Sequence, residues 1–306
     1  YALIVFSLGW FLLYHVDSFK RLQTYIIVTQ ILAMIVLWTA AMSLVKNGKG
    51  AQKFTRRWHD YDEACFAEGY NGSLIVNEGL LQFRNAPETF NTLKITSDDA
   101  ELCFGYPELD NVDAYTGGFV AETLKLGRNS TDGSAQTLLI TETGATLNSH
   151  FAPVAGGHII LGTEDEVWTA HDGLKMYGRT MTLDTADKSD LTINLSAFME
   201  EGMDVDLFSQ VGTLVIDGVE IDRNTEIGCL ADFFECDDIN LAEAMLTYTD
   251  VGTLRIKLTN ATDGQSYEYN GGTSGEWNTT DKVWATKDDV EGKYLYKKGA
   301  AYFTNA

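Results

Sequence analysis

The chain is poor in the residues that usually announce chemistry. It has three prolines, four cysteines and five histidines among 306 residues. No HExxH, P-loop, GxGxxG or GxSxG pattern occurs, which removes the signatures of zinc hydrolases, phosphate-cradling loops and nucleophile elbows. No CxxC spacing occurs, which removes the common structural zinc sites. His15, His59, His150, His158 and His171 form no pair at metal-binding helical spacing. Bases are scarce: 22 Lys and Arg stand against 44 Asp and Glu, for a net charge of −22. Such a body repels nucleic-acid phosphates, so nucleic acid is excluded as a partner. No catalytic residue is assigned, and the expectation is of a protein that is not an enzyme.

What is present is unevenly spread. The first 46 residues contain one Gly, Gly9, and no Pro. From Phe11 to Asn47 there is neither, so no residue forces a turn. An apolar segment of this length needs lipid or other chains around it. It predicts a long N-terminal hydrophobic α-helix whose stripe includes Phe11, Val16, Phe19, Leu22 and Ile26. An equally consistent reading is two spans, 1–16 and 25–45, turning at Asp17–Thr24. The run persists beyond a secretory apolar region, which predicts that it belongs to the mature chain. Residues 1–57 carry one acid, Asp17, and seven bases, five of them clustered in Lys46–Arg57. That cluster suits anionic headgroups. All other acids lie downstream.

From Asn71 onward, short apolar runs alternate with turn signals. SLIVNEGLLQF, NTLKITSDD, TLLITETG, GHIILGTED, LTINLSAF, GTLVIDGVEID and GTLRIKLTN are each bounded by Gly, Asn or Asp. This pattern predicts strands. Asn71-Gly72, Asp132-Gly133, Asp172-Gly173, Asp217-Gly218 and Asp263-Gly264 predict hairpin turns. The spacing points to a mainly β fold with sandwich or barrel-like head domains. Helix is expected only at the start, at Phe54–Phe66 and at Asn240–Thr247. Pro153 and the Gly pair in His150–Gly157 suggest a boundary. The expected organisation is an anchoring segment 1–57, a first β domain 58–150 and a second β domain 151–306. No repeat of fixed period is found.

Four groups of candidate site residues follow. Asp110, Asn111 and Asp113 offer alternating oxygen ligands, the arrangement calcium uses, without the EF-hand loop. Otherwise no cofactor is expected. Cys65 with Cys103, and Cys229 with Cys236, form sequence-local pairs. They read either as two disulfides formed outside the cytosol or as four buried thiols. Asn71, Asn129, Asn194, Asn260 and Asn278 head glycosylation sequons, which matter only in an exported, glycosylated chain. Aromatic residues gather late in the chain, with Tyr267 and Tyr269 alternating onto one strand face, as on a carbohydrate platform or an interface.

The apolar start followed by a Thr- and Gly-rich β region resembles the type IV pilin superfamily, including archaeal pilins and archaellins. Bacterial pilins carry Glu at the fifth mature position, where this chain has Val5. Archaeal members do not depend on it. The resemblance implies a structural subunit of an extracellular filament. It would insert transiently in the membrane and then pack against copies of itself through the N-terminal helix, with acidic β domains outside. The alternative is a membrane-anchored subunit of a membrane complex or viral envelope, with lipid or other membrane subunits as partners and a β-rich binding head.

Overall fold

The computed structural model describes residues 43–54, 65–105, 122–195, 202–237, 239–258, 266–269, 284–286, 291–292 and 300–302. The chain winds as a solenoid. The first turn contributes β1 (Leu44–Lys46) and β2 (Gln52–Phe54), and the second β3 (Ser73–Val76) and β4 (Gly79–Phe83). The third contributes β5 (Thr92–Ile95), β6 (Ala100–Phe104) and β7 (Thr123–Leu126). The fourth gives β8 (Thr137–Ile140), β9 (Thr146–Asn148) and β10 (His150–Pro153). The fifth gives β11 (His158–Leu161), β12 (Leu174–Lys175) and β13 (Thr180–Leu183), and the sixth β14 (Ser189–Ile193), β15 (Asp204–Ser209) and β16 (Thr213–Ile216).

Each turn adds one parallel strand to each of up to three sheets. The first sheet stacks β1-β3-β5-β8-β11-β14, the second β2-β4-β6-β9-β12-β15, and the third β7-β10-β13-β16. Parallel neighbours require a long crossover. Here the crossover is the path through the other two sheets, so no helix is needed.

One turn beyond β16 the chain reverses. β17 (Val219–Ile221) pairs antiparallel with β16 through Asp217 and Gly218, at φ 50° and 79°. β18 (Thr225–Cys229), helix α1 (Leu230–Phe233), β19 (Phe234–Glu235), helix α2 (Ile239–Ala242), β20 (Met245–Tyr248) and β21 (Leu254–Lys257) follow. β19 extends the first sheet, and β21, β20 and β18 extend the second as an antiparallel meander. This is a cap: it ends the parallel ladder and covers the last turn. Arg255 clamps it, with Nε 2.5 Å from Asp206 Oδ1 and Nη2 3.2 Å from Oδ2 on β15. A separate sheet consists of β22 (Ser266–Tyr269), β23 (Trp284–Thr286), β24 (Glu291–Gly292) and β25 (Ala300–Tyr302), in the order β24-β23-β22-β25.

The core lies inside the turns. Leu74, Leu93, Leu138, Ile159 and Leu191 occupy matching register positions and are all buried. Burial of each such side chain is worth about 1.5–3 kcal/mol. Phe54, Phe83 and Phe104 form a stacked column, with centroids 5.0 and 6.1 Å apart. Trp168 is fully buried and donates through Nε1 to the Asp206 carbonyl at 2.9 Å. Gly212 lies so close to the Gly178 carbonyl that a Cβ would overlap it.

Several expectations are corrected here. The heads are not a sandwich or barrel: the ladders between successive turns are parallel. The end of the predicted helix, Leu44–Lys46, is a strand, held by pairing with Leu74–Val76. Among the described residues no helix exceeds four residues, and none is long and apolar enough to cross a membrane. The long apolar helix is not found among them. Residues 1–42, with Phe11, Val16, Phe19, Leu22 and Ile26, lie outside the described residues. The expected helix at Phe54–Phe66 begins in strand β2, and residues 55–64 lie outside. The helix expected at Asn240–Thr247 shortens to α2, because Met245–Tyr248 joins the cap. Residues His150–Gly157 include β10, and each of the three sheets has strands from both sides of that stretch. No disulfide forms among Cys65, Cys103, Cys229 and Cys236.

Candidate binding face on the second sheet

Strand alternation sends Leu102 and Phe104 inward and Glu101 and Cys103 outward. The same alternation on β9 turns Asn148 outward. Pairing then aligns Lys53, Gln82, Cys103 and Asn148 in one outward row, one residue per turn. The row is polar yet largely sheltered: Gln82 and Asn148 are each 1% exposed. Gln82 Nε2 donates to the Gly105 carbonyl at 3.0 Å, while its Oε1 has no hydrogen-bond partner. An orphaned buried acceptor costs about 1–3 kcal/mol.

Asn148 is the hub. Its Nδ2 donates to Glu101 Oε1 at 2.9 Å, and its Oδ1 accepts from Arg179 Nε at 2.8 Å. Glu101, Asn148 and Arg179 thus form a bridged chain across three turns. The Arg179 guanidinium lies 5.9 Å from the ring centroid of Tyr177. That ring is 54% exposed, on a backbone with φ 52°. A bulky residue in the left-handed region is uncommon, and such strain concentrates at functional sites.

Beside this chain, His150 Nδ1 accepts the Thr180 backbone N–H at 3.0 Å. Burial, and then the Arg179 charge, hold its pKa below the usual 6.5. His150 is therefore neutral at pH 7, with its proton on Nε2. Burial pushes the Cys103 thiol up to about 12; Glu101 adds to the shift, and Arg179 and Lys53 oppose it. Cys103 is thus a protonated thiol and no nucleophile.

The remaining sequence candidates are dispersed. Asp110, Asn111 and Asp113 lie outside the described residues, as do Asn260, Asn278, His15 and His59. Among the described residues no group of three or more His, Cys, Asp or Glu gathers to hold a metal. Asn129 is 1% exposed, and its Oδ1 accepts the Thr131 N–H at 2.9 Å, so its amide faces the interior. Asn194 Nδ2 is bonded to the Thr163 carbonyl, and Asn71 is half-buried. Cys65 is buried and Cys229 lies 3.7 Å from the Met245 sulfur. His158 bonds Thr192 on the first sheet, and His171 is exposed. Sequence reasoning drew attention to Cys103 and His150 but not to Asn148, Tyr177 or Arg179. The Tyr177-Gly178 pair was the available signal, a turn dipeptide with an aromatic in its first place.

No family model, no curated protein and no solved structure matches this chain.

Proposed function

We propose that the protein is a surface-displayed, non-catalytic binding protein, in which an acidic solenoid holds saccharide against Tyr177. The observation that carries this reading is the half-exposed Tyr177 ring beside the Glu101–Asn148–Arg179 chain. A tyrosine face suits the C–H side of a sugar ring. The half-buried Glu101 carboxylate and Arg179 guanidinium supply the acceptors and donors that hydroxyls require, and the buried Asn148 amide holds the two in place. The Arg179–Asn148 bond fixes these groups before binding, which lowers the ordering cost. Display outside the cell, with lipid or other membrane subunits around residues 1–42, belongs to the same proposal and rests on their apolar composition. Filament assembly through that segment gains no support from the described residues.

The test uses the full chain in a mild detergent on a broad glycan array, followed by titration calorimetry. Retention of a saccharide class that Tyr177→Asn releases is the expected result. Failure of the wild-type chain to hold any glycan at millimolar concentration overturns the reading.

A further inference from the structure

The two ends of the solenoid differ in charge. The stretch of the first turn that holds β1 and β2, residues 43–54, carries Lys46, Lys49 and Lys53 and no acid, while residues 55–72 that follow carry Asp60, Asp62, Glu63 and Glu68 with Arg56 and Arg57. Lys46 bonds the carbonyls of Asn47, Gly48 and Glu78, none of which cancels its charge. Lys49 is highly exposed and meets Asp99 at 3.7 Å. Val45 beside them is 49% exposed. At the other end, residues 217–237 carry seven acids and one base, Arg223.

The capped end also has a cleft of about 520 Å³. Ile216, Ile221, Ile227 and Phe233 give it apolar walls, and Glu226 and Asp232 supply acids. Lys188 is its one cation, with Nζ bonded to the Ala231 carbonyl at 2.5 Å. Val219 on β17 is 63% exposed nearby in the cap, and Glu220, Asp222 and Glu226 are exposed. A chain of net charge −22 repels its own copies unless its charges are segregated. Here they are segregated along the winding axis.

We propose that the acidic capped end of one copy receives the basic first turn of a second copy, with Val45 directed at the apolar cleft and Lys46 and Lys49 against Glu220, Asp222 and Glu226. The contact joins unlike surfaces, so it is heterologous and leaves a free end at each side; repeated, it gives an open row of solenoids. Exposed charges dominate it, so it weakens with salt, whose screening length falls from about 10 Å at 0.1 M to about 3 Å at 1 M. It is independent of saccharide binding at Tyr177.

Charge reversal on the full chain in detergent tests it, read by sedimentation. The wild type is expected to grow in mass with concentration at 20 mM salt and to revert at 500 mM. K46E/K49E and E220K/D222K/E226K are each expected to lose at least tenfold in association. Their equimolar mixture is expected to recover it, because the acidic ends of one variant meet the basic ends of the other. Far-ultraviolet circular dichroism verifies folding of each. Salt-independent association, no association by the wild type, or a mixture no better than its components overturns the proposal. Association through residues 1–42 alone survives both reversals and gains nothing on mixing, so it counts as an overturning result.

Discussion

Tyr177→Asn separates the ring from the backbone that carries it. With φ at 52°, an ordinary L-residue is destabilised by about 1–2 kcal/mol, whereas Asn visits this region readily. The ring is 54% exposed, so removing it forfeits little burial. It also gives up the Arg179 contact at 5.9 Å, worth about 0.5–1 kcal/mol at an exposed site. These terms oppose, and the net change in folding free energy falls within about 1 kcal/mol of zero. A buried aromatic lost from a core costs about 3–5 kcal/mol instead. Saccharide affinity, by contrast, is expected to drop about tenfold or more, roughly 1.4 kcal/mol. Urea denaturation followed by far-ultraviolet circular dichroism of the β-sheets gives the first quantity, and calorimetry with the retained glycan gives the second. A stability loss above about 2 kcal/mol makes the ring a structural element, because only a packed side chain costs that much. Unchanged affinity refutes its role in recognition.

The other predictions concern the frame around the site. The folded pKa of His150 lies below 6.5, so between these values the unfolded chain holds the extra proton, and stability falls as pH drops through that window. His150→Asn keeps an acceptor for the Thr180 N–H and is expected to flatten that component; an unchanged slope in denaturant midpoint from pH 7 to 5 argues against it. Gly212→Ala drives a methyl into the Gly178 carbonyl and is expected to cost about 1–3 kcal/mol or more, seen as a lowered Tm. Phe83→Ala removes a fully buried ring from a column with neighbours at 4.8, 5.0 and 6.1 Å. It should cost about 3–5 kcal/mol, with hydrogen exchange rising first in β2, β4 and β6. Iodoacetamide at pH 8 should label Cys229 and Cys236 in the native protein and spare Cys65 and Cys103, whose thiols are buried with raised pKa. Mass spectrometry showing no label before reduction would mean a disulfide after all.

Individual strands were legible because one face of each is core. TLKI and TLLI bury alternate residues, which is the period-2 signal. Their mutual arrangement was not legible. Single-faced alternation normally marks antiparallel sheets, since parallel sheets are usually covered on both faces. A solenoid breaks that association: its parallel sheets face the core on one side only. Unequal turns concealed the repeat as well, from 19 residues between Leu74 and Leu93 to 45 between Leu93 and Leu138. Asp217-Gly218 behaved as a hairpin because both residues take positive φ there. The Cys65–Cys103 pairing failed for a directional reason. Cys103 points outward from β6, while the Cys65 sulfur reaches the Phe54 carbonyl at 3.5 Å. The candidate face was invisible because Glu101, Asn148 and Arg179 meet only after three turns have stacked.

The uneven winding has an architectural consequence. Ladder register depends on the short strands alone, so chain length spent at the corners leaves hydrogen bonding untouched. The excursion between Leu161 and Leu174 already departs from and rejoins the stack with β11 and β12 in register with their neighbours. A peptide grafted after the exposed Asp165 should therefore project sideways while every ladder stays as it is. The corners are where such a scaffold gains new surface, one turn at a time, without renegotiating its interior.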